Sequence, residues 1–548
     1  MKKPTLKAPK LKAPDLSSVT GGSRTGQSLL AGVAVLGLVF GIAELRSPAT
    51  SAATGGGKRT TAQVERAALV CPPPMQGVTG STTLTLFSPE GGTGSTGTGL
   101  LADATADNVL AAQNPAQPAP SASAAPSDAA SAATPAGQPS GSPAAAVDAR
   151  ISLAKPGLPA TGPAANGDTA PGSFAIATGN LAPGFTATQL TSSEQGGAGL
   201  SGADCLPSGT SFWFSGASTT GNRVDYVTLV NADSLPAVVD LRMYGDKGPI
   251  DNELATGISI APGKTETMSL ASLTKGPVDN LALHVVTRSG RVAAGVHAID
   301  TGKGSDWLEP SADPAASVVI PGIPDDVTAA HLVIATDSAD DADLKVQLSG
   351  KNGWFTPAGN ETVHVKAGMT AALDFQFTEQ TREGASAVRL TPTSDSHPTP
   401  IVAGLRVDRE NKGKTEAAWL AGGNPIGARA SIADNRAGQT KLFLTATDGD
   451  AKVKVTSSAG ASGGTPASKD VDVPAGTTVS VDGIDPAGAN GPYALTLQTL
   501  GGGPVLAARQ ITIPAKDVPA FTTQQFRDDH ATVQVPQVAA DPGVVLGR

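Results

Sequence analysis

Six histidines (His284, His297, His331, His364, His397 and His530) are the first place to look for chemistry, since imidazole binds metals and moves protons near neutral pH. No two stand at HxH or HxxxH spacing, so no stretch converges ligands on one ion. They read as strand-surface or half-buried side chains. Asp337, Asp340, Asp341 and Asp343 offer oxygens of the kind calcium takes, but the glycine and terminal glutamate of an EF-hand loop are absent. Asp233 and Asp448-Gly-Asp450 occupy matching places in the chain, so these aspartates read as a recurrent turn preference. Gly460-Ala-Ser-Gly-Gly464 spells GxSxG, yet a Gly/Ser/Thr/Pro loop follows where a nucleophile elbow needs a helix. Gly413-Lys-Thr415 has Asp408 where a phosphate-binding loop has its first glycine. Leu158-Pro-Ala-Thr-Gly162 spells a sortase pentapeptide, but domain sequence follows instead of an apolar stretch and basic tail, so it reads as linker. Glu266, Glu361 and their neighbours form no carboxylate pair. No catalytic, cofactor-binding or metal-ligating residue is assigned, and the chain reads as a non-enzyme.

The elements that carry these residues repeat. Three blocks, spaced by just over 100 residues, open alike: Tyr226-Val-Thr-Leu-Val-Asn-Ala-Asp233, Leu332-Val-Ile-Ala-Thr-Asp337 and Leu442-Phe-Leu-Thr-Ala-Thr-Asp448. Each continues into an alternating strand, then a turn (Ala261-Pro-Gly263, Lys366-Ala-Gly368, Pro474-Ala-Gly476), and closes on a hairpin-like pair. Period-2 alternation, Val/Thr/Ile enrichment and regular turn residues predict about seven short strands per copy. That makes an all-β chain of tandem immunoglobulin-like β-sandwich modules. Trp213, Trp307 and Trp419 stand at the junctions and are assigned structural packing roles; Trp354 alone is left as a candidate glycan contact. A fourth junction, Phe521 with Thr532-Val-Gln-Val-Pro536, has no module after it, and its strand is left to complete the last sandwich, pair with the N-terminal region or await a partner. If it returns to the N-terminal region, the repeats form a single closed β-propeller with two four-stranded blades each, the alternative to a sandwich array.

The rest of the chain sets organisation and compartment. Residues 67–90 and 149–205 are expected to form an interrupted N-terminal β-module, with 91–148 a disordered Gly/Ala/Pro/Ser-rich linker that cannot bury enough apolar surface to fold. Modules then occupy 206–310, 311–420 and 421–520, with 521–548 a terminal strand and tail. Charged residues are 16% and aromatics 3%, against 65 glycines and 43 prolines, which argues against a helical bundle. A net charge of −9 argues against a general nucleic-acid binder. Lys2, Lys3, Lys7, Lys10, Lys12 and Arg24 (1–27, a cytoplasmic tail) precede the uncharged run Ser28–Ala43 within 28–46, and 47–66 is a linker. This pattern predicts one transmembrane helix or signal-anchor with the bulk of the chain outside the membrane. Sixteen residues rise about 24 Å, short of the ~30 Å hydrocarbon core, so a cleaved signal and secretion is the alternative. Cys71 and Cys205 both fall in the exported part and are expected to pair, two structural thiols being the other reading.

Cys205-Leu-Pro, Trp213-Phe-x-Gly216, Leu229-Val-Asn231, Ala261-Pro-Gly263, Gly290-Arg-Val-Ala-Ala and Asp306-Trp307 resemble a family of exported β-rich proteins from high-GC Gram-positive bacteria, known only as a domain of unknown function. The early Leu69-Val-Cys-Pro72 also fits, and the resemblance spans roughly 65–520. It implies an envelope location and brings no catalytic residue, cofactor or ligand. The expectation is therefore a membrane-anchored scaffold or accessory subunit of the cell envelope, with an envelope protein or cell-wall glycan as partner. A glycan-binding or adhesive module is the alternative.

Overall fold

The computed structural model describes residues 60–75, 77–113, 146–165, 167–195, 199–382, 385–513 and 518–535. Contacts divide the chain into Thr61–Val533 and a second unit, Met1–Thr60 with Gln534–Arg548, of which only Thr60, Gln534 and Val535 are described. The expected membrane segment 28–46 lies outside the described residues. Among those that are described, no helix is long and apolar enough to cross a membrane.

Thr61–Val533 is all-β and contains four copies of one topology. In the N-terminal copy the seven main strands are Arg66–Cys71, Thr79–Phe87, Gly99–Asp103, Ala160–Pro163, Ser173–Thr178, Thr186–Gln195 and Gly199–Asp204. The first, third and fifth form a leading sheet in the order first-fifth-third, extended by an outer strand, Ala149–Leu153. The other four form a closing sheet in the order fourth-second-sixth-seventh. Modules 1, 2 and 3 start at Ser211, Val318 and Arg429, and their seventh strands are Gly304–Leu308, Lys414–Ala421 and Phe521–Gln525. Their pairings repeat the same order, antiparallel throughout. An immunoglobulin sandwich instead groups its first, second, fourth and fifth strands. The expected strand number is present, but the immunoglobulin pairing is not.

Each module has its own core between its two sheets, built from large aliphatic residues such as Leu332, Leu344, Leu390 and Leu405 in module 2. The outer faces of the sheets are also covered, by the next module. Val70, Ala102 and Phe174 meet Val230 and Ala293 of module 1. Trp213, Tyr244 and Ala282 of module 1 meet Ala335 and Val402 of module 2. Ser349 of module 2 donates to the Gly476 carbonyl of module 3 at 3.0 Å, and Thr478 Oγ1 lies 3.2 Å from Ser349 Oγ. Ala433 and Ala494 of module 3 return to Phe87 of the N-terminal module. Each of the four modules therefore meets two others through its sheet faces, and none of the sheets curls into a barrel. Just before Arg66–Cys71, Val64 N–H donates to the Ala531 carbonyl at 2.9 Å.

Of the fates open to the last junction, Phe521–Gln525 completes the last module: it is the seventh strand of module 3, paired with Val505–Thr512. One expectation changes: residues 91–113 are folded, although 91–148 is expected to be linker. Gly99–Asp103 is an interior strand of the leading sheet, and Ala106–Gln113 is a helix that buries Val109. The Gly-rich run ahead of that strand is packed: a Cβ at Gly97 would stand 1.7 Å from the Thr178 carbonyl oxygen and one at Gly92 2.2 Å from that of Asn180. Glycine there permits close backbone approach, which composition alone cannot distinguish from a flexible tether.

Candidate functional site, where the closing strands meet

The seventh strand of each module is hydrogen-bonded along one edge only. Gly304–Leu308 touches Gly199–Asp204 and Lys414–Ala421, and Phe521–Gln525 touches the same two, so the four edges face one another in a closed cycle. A buried edge strand leaves N–H and C=O groups unpaired, at a cost comparable to a lost hydrogen bond each. Here side chains supply the partners. Glu416 of module 2 accepts from Leu200 N–H of the N-terminal module at 2.8 Å and from Phe521 N–H of module 3 at 3.0 Å. Asp306 of module 1 accepts from Gly202 N–H at 3.0 Å and from the Thr522 hydroxyl at 3.1 Å. Glu309 accepts from Gln525 N–H at 3.3 Å, while the Gln525 amide donates to the Ala421 carbonyl. The Ser201 hydroxyl donates to the Ser305 carbonyl at 2.7 Å.

Around this seam lies a charged shell. Gln524 donates to Asp204 at 3.0 Å and accepts from Arg509 Nε at 3.1 Å. Arg509 is wholly buried and also donates to Asn435 Oδ1 at 3.0 Å and to the Ala433 carbonyl. Burial pushes Glu416 up to about 8, against the pull of the Leu200 and Phe521 amides and of Arg409. Burial, reinforced by the negative charge of Asp204, pushes Glu309 up to about 8, with Arg527 opposing. Asp306 is held well above the usual carboxylate range by burial, and the same cause brings Arg509 down to about 10. These acids favour their protonated forms, so they can hold protons. They have no room for a substrate: the neighbouring cleft lined by Asp204, Trp307, Glu309 and Arg527 leaves about 30 Å³ for water-sized molecules, far below the roughly 300 Å³ at which ligand sites begin.

A family described as a family of unknown function (DUF5719) matches residues 161–483, more than half of the chain. The chain belongs to this family. No curated protein and no solved structure matches it. The DUF5719 match runs from the fourth strand of the N-terminal module into module 3, and so takes in Asp204, Asp306, Glu309 and Glu416.

In this DUF5719 chain the junction aromatics all lie in the interior. Trp213 stacks on His284, ring centroids 3.9 Å apart, and on Tyr244 at 5.7 Å. Trp307 packs on Met75 and Ala203 of the N-terminal module. Trp419 of module 2 enters the core of module 1, and Phe521 of module 3 enters the core of module 2. The closing strands of modules 1, 2 and 3 thus each lend an aromatic to the module before, while Gly199–Asp204 carries none. Trp354 is half-buried at the face between modules 2 and 3, its ring 4.4 Å from the Arg389 guanidinium and its N–H 3.4 Å from the Thr447 carbonyl. One face of the only candidate glycan contact is therefore occupied by the chain itself. The Cys71–Cys205 disulfide is present and joins the first strand of the N-terminal module to the residue after its seventh.

The histidines do not converge: among the described residues no three His, Cys, Asp or Glu form a metal-sized group. Burial takes His284 down to about 4 and His297 to about 3. His331 bridges Asn280 and Asp374 at 2.7 Å each, and His364 sits 2.8 Å from Asp343. Ser462 of the GxSxG match lies in a turn closed by the Gly460–Gly463 pair. Leu158–Gly162 was expected to be linker. It ends inside the edge strand Ala160–Pro163, where Thr161 accepts from the Thr85 hydroxyl at 3.2 Å. The residues that matter most, Asp204, Asp306, Glu309, Glu416 and Arg509, were not singled out from sequence as a site. The available signal was a carboxylate beside a junction aromatic in an otherwise uncharged strand, as in Asp306-Trp307-Leu-Glu309.

Proposed function

We propose that the eight sheets are the blades of a closed propeller-like ring, and that the chain serves as a non-enzymatic scaffold or accessory subunit at the outer face of a cell membrane. The observation that carries this is the use made of the buried acids. Glu416 and Asp306 are spent on donors of other modules, and one oxygen of Glu309 accepts from Gln525 N–H while its other oxygen is buried without a partner among the described residues. These acids therefore join strands where an active site would present free groups to solvent. The Cys71–Cys205 disulfide supports an oxidising compartment, where such bonds persist. The basic leader and the run Ser28–Ala43 supply the tether, with the N-terminus cytoplasmic. A rigid body of eight sheets offers outer sheet edges and inter-strand loops as contact surfaces for an envelope protein.

The test is crosslinking in intact cells with an affinity-tagged full-length chain, followed by mass spectrometry. The expected result is a reproducible membrane partner that is lost when residues 1–46 are replaced by a cleavable signal sequence. Capture of wall polymer alone, with or without the tether, would defeat the scaffold reading.

A further inference from the structure

A groove of about 500 Å³ runs between the helix Ala106–Gln113, the leading sheet of the N-terminal module and the turns of module 1. That volume falls in the range of small-molecule sites, roughly 300–1,000 Å³. Its floor is apolar: Val70, Val109 and Phe174 are buried, with Ala112 and Ile176 packed against them. Two guanidiniums stand at the rim. Arg291 is neutralised by Asp233 through a pair of 3.0 Å hydrogen bonds. Arg66 is exposed and donates to the Ala112 carbonyl at 3.3 Å; among the described residues it has no carboxylate partner. Leu110, on the helix, and Leu235, on the adjoining turn, are 57% and 71% exposed.

An apolar trough that ends on one unneutralised guanidinium is complementary to a single acidic head carried on a hydrocarbon body. It does not suit a cation, which Arg66 repels, or a polyanion, which would meet Asp233 as well. We propose that this groove binds a single-chain amphiphile with a carboxylate head, its tail along Val70, Val109 and Phe174 and its head on Arg66 through a charge-assisted hydrogen bond. The proposal is independent of the scaffold reading.

The experiment uses the full-length chain in nanodiscs of zwitterionic lipid, exposed to a dodecanoate analogue with a photoreactive diazirine near the tail end, with labelled residues mapped by mass spectrometry. Label is expected on 68–70, 109–113 and 174–176, displaced by excess dodecanoate but not by the uncharged dodecyl maltoside. Arg66→Gln should weaken the apparent affinity about tenfold, and Ala112→Trp, which fills the trough, should abolish labelling; thermal unfolding of both is compared with the wild type. Three results would overturn the proposal: labelling unchanged in both variants, equal displacement by dodecyl maltoside, or labelling that emerges only after residues 114–145 are deleted, which would make the chain's own segment the occupant.

Discussion

Replacing Glu416 should loosen the seam where the four closing strands meet. Its two oxygens are the acceptors for Leu200 N–H and Phe521 N–H, groups that belong to two other modules. In Glu416→Ala both amides stay buried without a partner, at about 1–3 kcal/mol each, so the loss should be about 2–6 kcal/mol. Glu416→Gln keeps one carbonyl oxygen and turns an NH₂ group toward the other amide, so about 1–3 kcal/mol is expected. The pH dependence gives a second reading. Burial raises Glu416 to about 8 in the folded state from an ordinary 4.5. Between those values the folded chain binds more protons than the unfolded chain, so stability must fall as pH rises from about 4.5 to about 8. Each such group contributes a slope of at most about 1.4 kcal/mol per pH unit. Glu309, also raised to about 8, acts over the same window, so Glu416→Gln should flatten the slope without removing it. Urea unfolding of the full-length chain, followed by tryptophan fluorescence at pH 5, 6, 7 and 8, reads both quantities. An alanine variant within about 0.5 kcal/mol of wild type, or an undiminished pH slope in the glutamine variant, would refute the account of Glu416 as a buried, protonated cap on two edge strands.

Other expectations follow from the same contacts. Cys71→Ser with Cys205→Ser opens a loop of 134 residues and should cost about 2–5 kcal/mol, measured by urea unfolding with and without reductant. Gly97→Ala places a methyl 1.7 Å from the Thr178 carbonyl oxygen and should cost about 1–3 kcal/mol or more, whereas Gly221→Ala, with open space around its Cβ, should cost less; comparative melting decides. Trp419→Ala should cost about 3–5 kcal/mol, and limited proteolysis should cut first within module 1, whose core receives the side chain, and not in module 2, which carries it.

What could be read in the sequence was local. Alternation in Leu344-Lys-Val-Gln-Leu348 is a half-exposed strand, with Lys345 outward and Leu344, Val346 and Leu348 in the module 2 core. Turn chemistry at Pro474-Ala-Gly476 marked the start of a strand, and the repeat spacing gave the module count from residue 206 onward. Pairing order was not legible, because sandwich and ring modules share strand length, alternation and strand number. They differ only in which strands face which, and no short-range signal carries that. The seam was illegible for a related reason. Asp306 and Glu416 are 110 positions apart in sequence, and each finds its donors on strands of other modules, which come together only in the folded chain.

Composition decides which faces can close. Leu332 and Ile334 point into the core of module 2, while Ala335, one residue on, meets Trp213 of module 1. Covering both faces turns the expected alternation into a nearly continuous apolar run, as in strands buried on both sides. The two faces still differ in size. Within modules the fillers are Leu, Ile, Val and Phe, while several contacts between modules rest on Ala282, Ala293, Ala433, Ala494 and Ser349. Small residues let neighbouring sheets approach closely, and this gives the 3% aromatic content and abundant glycine a structural meaning. A large side chain is tolerated between modules where another gives way: at Gly322, where a Cβ would come within 2.6 Å of Ala508 Cβ, nothing can. The closing strands invert the rule. With all four edges pressed together, apolar filler would leave their amides unpaired, and the strands therefore carry carboxylates and glutamines where the rest of the interior carries alanine.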